Sequence, residues 1–170
     1  MNRIMLCVIG YCISILLMSM ASTVFAGDGY KDPLVRIFMP PSDVNVPHLL
    51  KNLSKDLSKA SGVPESGITV IFNEIPANYM ITGGKLAEKY NDKDHPVIVE
   101  LHLAGFFDKK QVETCMESIA DSLSEHNNIS RKQVFILTTQ EESGMVYVFG
   151  ETMKWAKGKN PFSDNDQLKK

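Results

Sequence analysis

Two tandem β-α-β units, making an α/β fold with a four-stranded sheet and two helices on one face, are what this sequence predicts. Two stretches open alike, Pro33-Leu-Val-Arg-Ile-Phe and Pro96-Val-Ile-Val-Glu-Leu. After each comes an apolar stripe at three- and four-residue spacing and then a run dense in β-branched residues. Alternation at period two marks half-buried strands, and the wider spacing marks one face of a helix.

The first strand is expected over about Leu34 to Met39, with Leu34, Arg36 and Phe38 on one face and Val35, Ile37 and Met39 on the other. Pro40-Pro41 ends it. Ser42, Asp43 and Asn45 offer side-chain oxygens for a helix start, and Pro47 fits a first helical turn, where its missing N–H removes no hydrogen bond. Leu49, Leu50, Leu53, Leu57 and Ala60 then form one stripe, closed by Gly62 and Pro64. Ile68 to Phe72 reads as the second strand. Asn73 to Gly84 reads as a loop or short hairpin around Tyr79, Ile81 and Gly83-Gly84, and Lys85 to Tyr90 as one helical turn.

In the second unit Val97, Val99, Leu101 and Leu103 face one way, with Ile98, Glu100 and His102 opposite. Asp108 and Gln111 suit a capping box before a helix whose apolar side is Val112, Cys115 or Met116, Ile119 and Leu123. Gln133 to Thr138 is the fourth strand and Gly144 to Phe149 a short fifth. A strand-helix-strand unit with short loops makes its strands parallel. The helix-free face then carries Phe38, Ile98 and either Phe72 or Phe135, and a copy of the chain is the economical cover for it.

Arg3 followed by an apolar run to Met20 and by Ala21-Ser-Thr-Val-Phe-Ala26 reads as a cleavable export signal over residues 1–26. Export implies a periplasmic or secreted protein, with membrane contact only through an uncleaved signal segment. Residues 27–32 form a polar leader, 33–156 the domain, with repeats at 33–90 and 96–153, and 157–170 a disordered tail. Without residues 1–26 the chain keeps 17 of its 18 basic and all 20 acidic side chains, a net charge of −3 that gives no reason to expect nucleic acid. Cys115 is then the one cysteine left, expected as a small buried apolar residue. His102 and Glu100 share a strand face and are expected as an interface or surface pair; the sharper alternatives are an acid-base pair or part of a metal site, for which no third ligand at characteristic spacing is visible. His48 and His126 belong on helix surfaces and His95 in a connector, all solvated. Glu141-Glu142 reads as solvated charge, and Trp155 and Phe162 as cover for a neighbouring subunit.

The pattern resembles the tautomerase superfamily, the group of 4-oxalocrotonate tautomerase and macrophage migration inhibitory factor, over roughly Pro33 to Met153. The most specific local match is Thr69-Val-Ile-Phe-Asn-Glu74-Ile, followed by Gly83-Gly84-Lys-Leu-Ala. The resemblance implies a homotrimer and keto–enol isomerisation of small carbonyl or carboxylate compounds, with no metal and no organic cofactor. It also implies an amino-terminal proline as base, a role that falls on Pro33 by position. An internal proline nitrogen is a tertiary amide without useful basicity, and cleavage after Ala26 leaves six residues ahead of Pro33. The family's arginine in the second strand corresponds to Thr69, and the one after the first strand falls near Asp43. Arg36 or Lys85 is the candidate anion holder, chosen by position near the expected pocket, with Tyr79 lining it. The competing expectation is a non-catalytic exported binding or assembly protein that keeps the scaffold and lacks the freed proline.

Overall fold

The computed structural model describes residues 33–91, 94–148 and 150–156. The expected signal, leader and tail, with Phe162, lie outside the described residues. Strands β1 (Leu34–Met39), β2 (Thr69–Glu74), β5 (Val97–Ala104) and β6 (Val134–Glu141) form one sheet in the order β2-β1-β5-β6. Helix α1 (Val46–Ser61) joins β1 to the parallel β2, and α2 (Lys109–Asn127) joins β5 to the parallel β6. The central strands β1 and β5 run antiparallel. The two units therefore begin at opposite ends of the sheet, with Pro33 at one and Pro96 at the other.

Local sequence explains each helix. Asn45 accepts the His48 N–H at 3.2 Å, and Gly62 closes α1 at φ +73°, its N–H bonding Ser58 O at 3.0 Å. Asp108 and Gln111 make the reciprocal capping box of α2 at 2.8 and 2.9 Å. The stripes Leu49-Leu53-Leu57 and Cys115-Ile119-Leu123 are fully buried against Val35, Ile37, Met39, Val97, Val99, Leu101 and Leu103. Both helices cover that sheet face and pack on each other. Among the described residues no helix is long and apolar enough to cross a membrane.

Several expectations change. Lys85 to Tyr90 does not begin as a helical turn: Lys85–Leu86 is a strand, β4, paired with β3 (Ile81–Thr82) in a hairpin. Gly83 and Gly84 both take positive φ, +57° and +79°, so the chain reverses between them. The Ala87 N–H, bonded to Met80 O at 2.9 Å, extends that ladder. Phe72 packs toward the helices, whereas Phe135 is 53% exposed on the open face. The strand expected over Gly144 to Phe149 is Val146–Val148 (β7), paired with Glu151–Met153 (β8), which the sequence reading left unassigned. His95, expected in solvent, is 5% exposed.

Candidate active site at the Pro33 end of the sheet

Strand register lays the open face out as three rows. Thr69, Leu34, His102 and Thr139 form one, at the Pro33 end; Ile71, Arg36, Glu100 and Leu137 form the middle one; Asn73, Phe38, Ile98 and Phe135 form the last. Directly opposed residues project to the same side of a pleated sheet. A polar diagonal crosses three strands, from Arg36 on β1 through Glu100 and His102 on β5 to Glu141 on β6, which lies opposite Ala104 one step beyond the first row; apolar Leu34, Ile71, Ile98 and Leu137 and polar Thr139 stand beside it.

Two contacts organise this diagonal. Arg36 Nη1 lies 3.9 Å from Glu100 Oε2, an ion pair without hydrogen-bond geometry, and both side chains are well exposed. His102 Nδ1 lies 3.2 Å from Glu141 Oε1, with the His102 side chain 28% exposed. The acid-base partner of His102 is thus Glu141, 39 residues away, and not Glu100 on its own strand. The expectation that Glu141 is solvated charge is corrected accordingly.

Glu141 is held in place through its backbone. Gly105 N–H bonds Glu141 O at 2.7 Å, and a Cβ on Gly105 would come within 2.8 Å of that same oxygen. Only glycine allows β5 to turn this closely past the end of β6. Phe106 stacks on Phe107 with centroids 4.7 Å apart and meets Trp155 edge-on at 6.0 Å, so Trp155 packs against its own chain here. These rings form an apolar wall beside the end of β5.

The four residues expected at the site do not converge within one chain. Pro33 is buried at the head of β1, and its carbonyl accepts the Thr69 N–H at 3.0 Å. Arg36 lies in the middle row. Tyr79, 81% exposed, and Lys85, paired with Asp94 at 2.5 Å, belong to the β3–β4 hairpin beyond the other end of β1, where Ile75 N–H bonds Met39 O. Six residues of strand separate that end from Pro33, about 20 Å at the usual rise. Among the described residues no group of three or more His, Cys, Asp and Glu is placed to hold a metal ion.

A second polar cluster lies across the helices, away from the open face. His126 Nε2 of α2 contacts Asp56 Oδ2 of α1 at 3.1 Å, and the His48 ring stands edge-on to His126 at 6.4 Å. Burial alone raises the Asp56 proton affinity. Hydrogen bonds from Lys59 and His126, with the nearby Lys59 charge, outweigh it and hold the carboxyl below its usual 3.8. This cluster ties α1 to α2.

No protein-family model matches the sequence, and no curated protein matches it. Solved structures do match in fold. A wild-type fused 4-OT asymmetric trimer superposes with a TM-score of 0.63 at 15% identity, over 71% of this chain and 95% of the other. N1, a member of the cis-3-chloroacrylic acid dehalogenase family, gives 0.61 at 13% identity, over 71% and 83%. The macrophage migration inhibitory factor of Toxoplasma gondii gives 0.55 at 16%, over 71% and 100%. With its paired β-α-β units joined by a central antiparallel strand pair, the chain has the fold of the tautomerase superfamily.

Proposed function

We propose that the protein is an exported, homotrimeric tautomerase-like protein that moves a proton between the keto and enol forms of small carbonyl carboxylates, without metal or organic cofactor. The observation that carries this reading is Pro33, buried at the head of β1 in a tautomerase fold. Trimming to Pro33 turns its ring nitrogen into a secondary amine, and burial of such an amine lowers its proton affinity toward neutral pH. Arg36 is the anion holder on the same strand. Exposed Tyr79, Ile81 and Leu86 on the hairpin suit contact with a neighbouring copy, which is how Tyr79 and Lys85 of one chain would reach the Pro33 end of another. Arg3, the apolar run after it and Ala26 support export. The trimeric fused 4-OT supports the assembly.

A second reading, a binding or assembly protein without turnover, is favoured by one specific observation. Pro33 follows Asp32 in a peptide bond, which leaves its nitrogen without basicity until the chain is trimmed there. Intact mass and amino-terminal sequencing of the exported protein, followed by a phenylpyruvate enol-to-ketone assay, test the two. Turnover supports the enzyme, and in a chain beginning at Pro33 it is expected to fall with Pro33→Ala. A folded protein with no turnover on phenylpyruvate or 2-hydroxymuconate leaves the binding reading.

A further inference from the structure

We infer that His102, oriented by Glu141, is the base that moves the proton while Pro33 is still in peptide linkage; this rests on the tautomerase reading and names a second proton carrier at the same sheet end. The geometry is that of a histidine held for one job. Glu141, as a carboxylate, has only lone pairs to offer, so the Nδ1 facing it at 3.2 Å carries the ring hydrogen. Nε2 is left with its lone pair, and among the described residues it makes no hydrogen bond. The side chain is 28% exposed, enough to be reached yet largely shielded from bulk water.

The surroundings fit a small carbonyl carboxylate. Leu34 stands directly across from His102 on one side and Thr139 on the other, giving an apolar wall and a hydroxyl donor. Arg36, one row along on the neighbouring strand, makes a single long contact among the described residues, 3.9 Å to Glu100, which leaves guanidinium donors for a substrate carboxylate. Pro33 directly precedes Leu34, so His102 and Pro33 belong to the same end of the sheet.

In the proton shift, Nε2 takes the hydrogen from the carbon beside the carbonyl. The C–H electron pair becomes the new C=C bond, and the carbonyl π pair moves onto oxygen. The imidazolium, steadied by the Glu141 carboxylate, returns the proton to that oxygen and recovers the neutral ring. Nothing is oxidised and nothing leaves. His102 is the catalytic residue, and Glu141 is a positioning residue.

The test uses the full chain, shown by intact mass to begin upstream of Pro33, with phenylpyruvate as substrate. His102→Gln is expected to lower kcat by about a hundredfold or more. Glu141→Gln is expected to lower kcat by about tenfold while KM stays unchanged. In parallel, ¹⁵N NMR of the imidazoles reads the tautomer without any turnover. His102 is expected to be the Nδ1–H form in the parent chain and to lose that preference in Glu141→Gln. An active parent whose His102→Gln variant keeps its rate overturns the inference and leaves the tautomerase reading standing. A folded parent inactive on phenylpyruvate and 2-hydroxymuconate overturns both. A parent ring in the Nε2–H form overturns the inference whatever the rates.

Discussion

Replacing Leu137 with Asp tests whether the open sheet face is where copies of the chain meet. Leu137 is 50% exposed in the single chain, so its replacement costs the lone subunit about 1 kcal/mol for the half already buried. Covering the other half is worth about 1 kcal/mol, half the usual gain for fully burying a leucine. Over three subunits the lost burial comes to about 3 kcal/mol, roughly a hundredfold in the assembly constant. A carboxylate placed opposite Glu100 adds like-charge repulsion and the cost of desolvating an unpaired charge. Sedimentation velocity of both proteins, with circular dichroism to confirm folding, is the assay. The expected result is a trimeric parent and a folded, dissociated variant. A parent that sediments as a monomer, or a Leu137→Asp variant that stays trimeric at the same concentration, refutes the reasoning.

Other consequences follow from single residues. Gly105→Ala drives a methyl to 2.8 Å from Glu141 O, so urea denaturation is expected to record about 1–3 kcal/mol of lost stability. The ¹⁵N signals of His102 should shift with it as Glu141 moves. Leu53→Ala, at a fully buried point of α1, should lower unfolding free energy by about 2–5 kcal/mol in the same assay. The Asp56 carboxyl is held below its usual range, so the stability it contributes is fully present above pH 3.8 and fades as pH falls through its folded value. Acid unfolding of Asp56→Asn should therefore show a flatter acid limb than the parent, and an unchanged limb would contradict the assignment.

Strands β1 and β5 could be read directly because their two faces differ chemically: Val35-Ile37-Met39 against Leu34-Arg36-Phe38, and Val97-Val99-Leu101 against Ile98-Glu100-His102. The helices were nearly as legible: Asp108, Gln111 and Gly62 mark their ends, while only the structure chooses Asn45 among Ser42, Asp43 and Asn45 as the cap of α1. Strands β2 and β6 were harder. Val70-Ile71-Phe72 and Val134-Phe135-Ile136-Leu137 are apolar on both sides, so period two carries no contrast, and only pairing with β1 and β5 decides that Phe135 is exposed and Phe72 is not. Gly83-Gly84 signalled a reversal, but glycine pairs serve loops and hairpins alike, which hid the two-residue strands.

The site was half visible. Pro33 and Arg36 follow from one strand's pattern, whereas the His102–Glu141 contact depends on the register of β5 against β6 across a helix. Glu100, two residues away on the same face, was the nearer candidate in sequence, yet Arg36 lies opposite it and engages it. Glu141 could have been suspected from one signal, its position three residues past Thr138, at the C-terminal end of a strand parallel to β5. Tyr79 and Lys85 are expected at the Pro33 pocket, but parallel pairing of β2 with β1 sends the chain after β2 away from the Pro33 end.

The most direct measurement is a ¹H–¹⁵N correlation spectrum of the folded chain titrated with phenylpyruvate. The amides of Leu34, Arg36, His102, Thr139 and Glu141 are expected to shift together, tracing the polar diagonal at the Pro33 end. Shifts confined to the helix side, around His48 and His126, or no shifts at all, would contradict a carbonyl-carboxylate site on the open face of the sheet.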